Sequence, residues 1–83
     1  MEIYVECVSL GDPLRATISI AETNVTTVTD QNGQAGLELP GGHWYHVLAK
    51  SECHAEEKVT LWLETGQIKF IKLRLREEGC IKN

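Results

Sequence analysis

Alternation of apolar and polar residues over seven short segments constrains the fold of this 83-residue chain more than any other feature. In the first segment, Ile3, Val5 and Cys7 alternate with more polar neighbours. A period of two places successive side chains on opposite faces of a strand, whereas an amphipathic helix repeats every ~3.6 residues. The seven segments predicted to form strands are residues 2–9, 14–22, 25–29, 35–39, 43–50, 57–64 and 67–76.

Turn residues separate these segments and support the same division. Gly11-Asp12-Pro13, Pro40-Gly41-Gly42 and Thr65-Gly66 each interrupt the alternation. Asn32-Gly33 is the strongest short hairpin signal because both residues tolerate positive φ, so we expect a tight turn there with Gly33 at positive φ. Seven short strands without a convincing helix predict an all-β sandwich, with residues 1–83 as a single domain. The predicted core residues are Ile3, Val5, Ile18, Ile20, Leu37, Leu39, Tyr45, Val47, Leu61, Leu73 and Leu75.

Residues 11–49 contain three motifs that are similar to those of a known domain family. Residues 11–18 read Gly-Asp-Pro-Leu-Arg-Ala-Thr-Ile, and residues 29–42 run from Thr-Asp through Asn-Gly to Leu-Pro-Gly-Gly. These stretches, and the strand of residues 43–49, resemble the G-x-P-L-x-x-A-x-V, T-D-x-x-G-x-F-x-L-x-L-P-x-G and Y-x-V-x-A motifs of carboxypeptidase regulatory-like domains. Ala35 stands where that family often has Phe or Tyr. The resemblance implies a seven-strand, two-sheet Greek-key sandwich of the transthyretin-like (prealbumin-like) type, which mostly serves as an accessory, stalk or interaction module.

The charge balance argues against a nucleic-acid partner. Eight basic and twelve acidic side chains give a net charge of −4, whereas a nucleic-acid-binding domain normally carries a basic excess. The first and last strands lie side by side in the resembled family, so we expect Lys72, Arg74 and Arg76 to face Glu2 and Glu6. No apolar run approaches the roughly 20 residues of a membrane span.

No set of side chains has the spacing of a catalytic or metal centre. His43 and His46 lie three residues apart on one strand and therefore face opposite sides of the sheet. Asp30-x-Asn32-x-Gln34 resembles the start of a calcium loop but lacks the downstream glutamate. Cys53 and His54 are sequence neighbours, and neighbours rarely meet as a nucleophile and its base. We therefore expect no enzyme activity, no metal and no cofactor.

Cysteine usage and the first residues bear on redox state and compartment. Cys7, Cys53 and Cys80 are an odd number, so at least one thiol is unpaired within the chain, and no two have C-x-x-C spacing. An intramolecular disulfide between two of them stays open. Free thiols favour a reducing compartment, and residues 1–6 lack a signal-peptide pattern. We expect a cytoplasmic location unless the chain is a domain excised from a secreted protein.

A hairpin of residues 43–50 and 56–64 would bring both tryptophans onto one outer surface. If the hairpin is centred near Cys53, Trp44 faces Trp62. Outward aromatic residues beside a leucine are typical of interfaces, although a cross-strand pair that only stabilises the hairpin gives the same pattern. The predicted cross-strand pairs are Trp44–Trp62, His46–Thr60, Leu48–Lys58 and Lys50–Glu56, and the predicted interface residues are Trp44, Trp62, Leu48 and His46.

Two functional hypotheses follow from this surface. The preferred one is a non-enzymatic protein–protein interaction or structural accessory module that acts through the tryptophans or an edge strand, with a protein partner or a second copy of the chain. The alternative is a carbohydrate- or small-ligand-binding module in which Trp44 and Trp62 stack on sugar rings.

Overall fold

A computed structural model describes residues 1–78, and these residues form seven β-strands, one for each predicted segment. Within this range there is no helix, and so none that is long and apolar enough to cross a membrane. Cys80 lies outside the described residues. The all-β prediction is confirmed. The strands are β1 (Glu2–Cys7), β2 (Thr17–Ile20), β3 (Thr26–Val28), β4 (Gln34–Gly36), β5 (His43–Lys50), β6 (Glu57–Leu63) and β7 (Phe70–Leu75).

The strands form two sheets, as predicted. The three-stranded sheet has the order β4-β1-β7, and the four-stranded sheet has the order β3-β2-β5-β6. β1 is antiparallel to β4 and parallel to β7, so the first and last strands are neighbours, whereas the four-stranded sheet is antiparallel throughout. Strands β3, β4, β6 and β7 are therefore the edges of the two sheets.

Both sheets bury their inward residues in one hydrophobic core, an arrangement consistent with a β-sandwich. Val5 and Leu75 of the three-stranded sheet and Ile18 and Val47 of the four-stranded sheet are fully buried. Each lies between more exposed neighbours, because successive side chains of a strand point to opposite faces. Apart from Leu37 and Leu39, every predicted core residue is buried.

Leu37 and Leu39 are corrections to the predicted core. Both are only half-buried and pack against the margin of the hydrophobic cluster. They follow Gly36, the last residue of the edge strand β4, so no neighbouring strand covers their outer side. Leu37 exchanges hydrogen bonds with Met1 at the start of the chain, and the buried Met1 side chain joins the core, which the sequence pattern did not predict.

The turn at Asp30–Gly33 has the predicted local geometry, but it does not close a hairpin. Gly33 has a φ of +74°, and the Asp30 carboxylate accepts hydrogen bonds from the backbone N–H groups of Asn32 and Gln34. However, β3 and β4 belong to different sheets. The turn therefore carries the chain from one sheet to the other, and the hairpin interpretation of Asn32-Gly33 is wrong.

Thr29 ties together the chain segments that enter β2 and leave β3. Its side chain is buried, its hydroxyl donates to the Leu14 carbonyl at 2.6 Å, and it accepts from the Ala16 N–H at 2.7 Å. Buried backbone groups need such partners because an unpaired N–H or C=O is costly. This role was not predicted, since Thr29 lies in a segment whose composition indicates only a β-strand.

Candidate interaction surface

The β5–β6 hairpin has the register that the alternation predicted. Tyr45 and Val47 of β5 are buried, so Trp44, His46 and Leu48 point away from the core. The paired strand β6 contributes Trp62 to the same outer side of the sheet. We call the surface formed by Trp44, Trp62, His46 and Leu48 the Trp face. Three of the four predicted cross-strand pairs are present, namely Trp44–Trp62, His46–Thr60 and Leu48–Lys58, whereas the paired register ends at Ala49–Glu57 and does not include Lys50–Glu56.

The two indole rings contact each other and remain open to solvent. Trp44 is 59% exposed and Trp62 is 38% exposed. Their ring centroids lie 5.6 Å apart with an interplanar angle of 67°, which is the edge-to-face arrangement that the aromatic quadrupole favours. The pair therefore stabilises the hairpin and still leaves a large aromatic surface uncovered.

His46 is held at one side of the Trp face by Glu22, which lies just after β2. The backbone N–H of His46 donates to the Glu22 carboxylate at 2.8 Å, and its imidazole Nδ1 contacts the other carboxylate oxygen. These two hydrogen bonds, the backbone one first, lower the pKa of Glu22. His46 and Leu48 are both half-buried, so they form a less exposed margin beside the tryptophans.

A shallow recess of about 240 Å³ lies next to Trp44. Its lining includes Thr23, Pro40 and Tyr45, and the Tyr45 hydroxyl donates to the Pro40 carbonyl at 2.6 Å. This hydrogen bond joins the loop that precedes β5 to a buried side chain, and it thereby fixes the part of the recess wall that Pro40 forms. The surface thus consists of an aromatic ridge beside a depression.

The outer side of the three-stranded sheet carries part of the predicted charge pairing: Lys72 and Arg74 pair with Glu6, whereas the ion pairs within residues 1–78 include neither Arg76 nor Glu2. Arg74 Nε lies 2.8 Å from one carboxylate oxygen of Glu6, and Lys72 Nζ lies 3.6 Å from the other. Lys72 also sits 5.9 Å from the centre of the Tyr4 ring. Glu6 was expected to be exposed, but it is only 8% exposed because these long basic side chains cover it. The basic residues of β7 therefore do not form an unpaired anion-binding stripe.

A cluster around Cys7, at the end of β1, was missed by the sequence reasoning. Cys7 Sγ lies 3.4 Å from His54 Nε2, 3.3 Å from Glu77 Oε1 and 3.4 Å from Ser9 Oγ. We call Cys7, Ser9, His54 and Glu77 the thiol cluster. His54 and Glu77 are 47 and 70 residues from Cys7 in sequence, so no local motif could have indicated the contact. His54 contacts this distant thiol, whereas the sequence analysis had considered only its neighbour Cys53 as a partner and had rejected that pairing.

The thiol cluster shifts the acidity of its members. Hydrogen bonding with Ser9, and then with His54, lowers the pKa of the Cys7 thiol. The hydrogen bond to the Glu52 carbonyl, and then that to Cys7, raises the pKa of His54. Cys7 is a free thiol, which agrees with the expectation of at least one unpaired cysteine.

Residues 1–78 contain no group of three or more His, Cys, Asp or Glu side chains that is arranged to hold a metal ion. Compared with known proteins, the chain matches no protein-family model and no curated protein sequence. The resemblance to carboxypeptidase regulatory-like domains therefore stays a prediction.

Proposed function

We propose that this chain is a non-enzymatic interaction module of the transthyretin-like type, which binds a protein partner or a second copy of itself through the Trp face. The observation that carries the proposal is the exposed cross-strand pair of Trp44 and Trp62. The three-plus-four strand arrangement and the pairing of β1 with β7 support the finer fold assignment.

The core does not require either tryptophan. The inward positions of β5 and β6 are filled by other residues, including Tyr45, Val47 and Leu61, all of which are buried. Polar side chains such as Thr60 and Lys58 occupy neighbouring outward positions, and they would suffice to solvate this face. Large exposed indoles that the fold does not demand favour an interface, because Trp is among the residues that contribute most to binding energy.

The angle between the rings favours a protein partner over the carbohydrate alternative. A platform for two successive sugar rings needs two aromatic faces that a flat ligand can cover together. The indoles of Trp44 and Trp62 are inclined by 67° and share no common plane. A ridge of this shape, beside a recess of about 240 Å³, suits the irregular apolar and polar side chains of a protein surface.

The test compares two double variants that remove exposed apolar side chains from different sheets. Trp44→Ser with Trp62→Ser alters the Trp face. Ile68→Ser with Phe70→Ser is the matched control, because these side chains are 70% and 76% exposed and lie just before β7 and at its first residue. Sedimentation velocity over a range of concentrations measures self-association, and quantitative cross-linking with cell extract compares the proteins captured by each variant.

We expect the tryptophan variant to stay folded and to lose self-association or a captured partner that the wild type and the control retain. Titration of the wild type with a panel of oligosaccharides, followed by tryptophan fluorescence, tests the alternative. The proposal fails if the tryptophan variant behaves as the wild type in both binding assays. A saturable fluorescence response to a sugar, lost in the tryptophan variant, would establish the carbohydrate function instead.

A further inference from the structure

Cys7 occupies an inward position of β1 but differs from the inward residues before it. Ile3 and Val5 belong to the hydrophobic cluster, whereas Cys7 lies outside that cluster although it is only 4% exposed. Three polar side chains lie within hydrogen-bond reach of its sulfur: Ser9, His54 and Glu77. A buried thiol that serves only for packing would be surrounded by apolar groups.

The His54 imidazole is oriented so that one nitrogen serves the thiol. Its Nδ1 lies 2.8 Å from the Glu52 carbonyl oxygen, which can only accept, so Nδ1 carries a hydrogen. The thiol hydrogen of Cys7 has two acceptors in reach, His54 Nε2 at 3.4 Å and the Glu77 carboxylate oxygen at 3.3 Å, and when His54 is protonated its Nε2 donates to the thiolate. A nucleophile, a base in hydrogen-bond reach and a third group that orients the base are the parts of an activated thiol.

The backbone holds this geometry in place. His54 and Glu77 face each other across an isolated antiparallel bridge, which is flanked by hydrogen bonds from Ala55 N to Arg76 O at 2.8 Å and from Glu78 N to Cys53 O at 2.9 Å. Cys53 has a φ of +62°, which completes the turn that directs His54 towards β1. Main-chain pairing thus fixes the backbone at His54. The hydrogen bond from Nδ1 to the Glu52 carbonyl then orients the imidazole ring.

Two of the side chains that contact the sulfur are themselves open to solvent. Ser9 and Glu77 are exposed, and the Ser9 hydroxyl donates to the Glu77 carboxylate across the top of the cluster. Among residues 1–78, the charged or titratable side chains that contact Sγ are His54 and Glu77. Glu6 and its basic partners lie on the opposite face of the strand. Solvent-exposed side chains therefore lie directly against the sulfur, and the 4% exposure of Cys7 obstructs a bulky reagent more than a small one.

We propose that Cys7 is a site of reversible oxidation by small hydroperoxides, with His54 as its proton donor and acceptor. The Cys7 thiolate attacks one peroxide oxygen, so that an S–O bond forms as the O–O bond breaks. The departing hydroxide, or alkoxide from an organic hydroperoxide, takes the proton from His54 Nε2 and leaves as water or alcohol. Cys7 is oxidised by two electrons to a sulfenic acid, the peroxide is reduced by two, and a thiol reductant restores Cys7.

The test treats the whole folded chain with hydrogen peroxide, traps sulfenic acid with dimedone and follows the mass of the proteolytic peptide that contains Cys7. This peptide readout separates Cys7 from the other cysteines. We expect Cys7 to react faster at pH 7 in the folded chain than in the urea-unfolded chain. Its rate should rise with pH at a lower midpoint than that of the unfolded thiol, because the thiolate is the reactive form.

His54→Gln keeps a hydrogen-bonding side chain but removes the base, and His43→Gln is the control on β5, away from the thiol cluster. We expect His54→Gln to slow the reaction at pH 7 by at least about tenfold and to move its midpoint to higher pH, because both the proton donor and a hydrogen bond to the thiolate are lost, and His43→Gln to leave the reaction unchanged. Circular dichroism checks that both variants fold. Equal rates and pH profiles for the wild type and His54→Gln, or a folded Cys7 slower than the unfolded one, would overturn the proposal.

Discussion

Gly33→Ala tests how closely the turn after β3 packs on β1. A Cβ at this position would lie 2.5 Å from the Val5 carbonyl oxygen and 3.1 Å from Pro13 Cβ. The Val5 carbonyl already accepts from Leu14 N, and Val5 N donates to the Gly33 carbonyl. The added methyl group would therefore push apart three chain segments that are joined by backbone hydrogen bonds.

Gly11→Ala is the matched control for the loss in free energy of unfolding expected from Gly33→Ala. Gly11 has a φ of +72°, close to the +74° of Gly33, but a Cβ there would meet no atom within 4 Å apart from those of its chain neighbours. Both variants incur about 1–2 kcal/mol for a left-handed alanine and recover roughly 0.4–1 kcal/mol from the restricted unfolded chain. Overpacking adds about 1–3 kcal/mol at Gly33 alone. We expect losses of about 1 kcal/mol for Gly11→Ala and about 2–4 kcal/mol for Gly33→Ala.

Urea unfolding followed by far-ultraviolet circular dichroism measures the free energy of unfolding of both variants. An m-value equal to that of the wild type shows that each variant exposes the same surface when it unfolds. Gly33→Val should be more destabilising still, and clearly worse than Gln31→Val in the same turn, because a β-branched residue resists positive φ. If Gly33→Ala and Gly11→Ala differ by less than about 0.5 kcal/mol, the close approach to β1 does not contribute, and the reasoning is refuted.

Three further predictions concern the core, a buried hydroxyl and acid stability. Ile18→Ala should lower the free energy of unfolding by about 2–5 kcal/mol and the exposed Ile68→Ala by less than about 0.5 kcal/mol; similar losses in urea titrations would contradict the assigned core. Thr29→Val should cost about 1–3 kcal/mol because two buried backbone groups lose their partner, whereas Thr60→Val on the exposed face should be nearly neutral. The pKa of Glu22 is lower in the folded chain than in the unfolded chain. Ionised Glu22 therefore stabilises the folded state above the unfolded pKa of about 4.3, and this stabilisation is lost as pH falls through the folded pKa. Glu22→Gln should therefore make the loss of stability below about pH 4.3 shallower than in the wild type, and an unchanged acid limb in urea titrations from neutral to acid pH would count against the His46 contact.

The sequence by itself determined where the seven strands lie and which face of β1, β2, β5, β6 and β7 is buried, whereas it misjudged Leu37 and Leu39 after β4. A period of two makes this possible, because alternate side chains must lie on opposite faces whatever the strand pairs with. The Trp face follows from the same rule. Once residues 43–50 and 56–64 form one hairpin, the alternation and the turn between them place Trp44 opposite Trp62, and both point outward.

Tertiary structure alone decided how the strands divide between the sheets and which distant residues meet. Asn32-Gly33 satisfies its own turn hydrogen bonds, so the local sequence is the same whether β3 and β4 pair or separate. Cys7 and His54 are brought together only because β1 pairs with β7, whose end then pairs with the turn at residues 53–55. Local propensity carries no information about such contacts, since they depend on the packing of elements that are far apart in the chain.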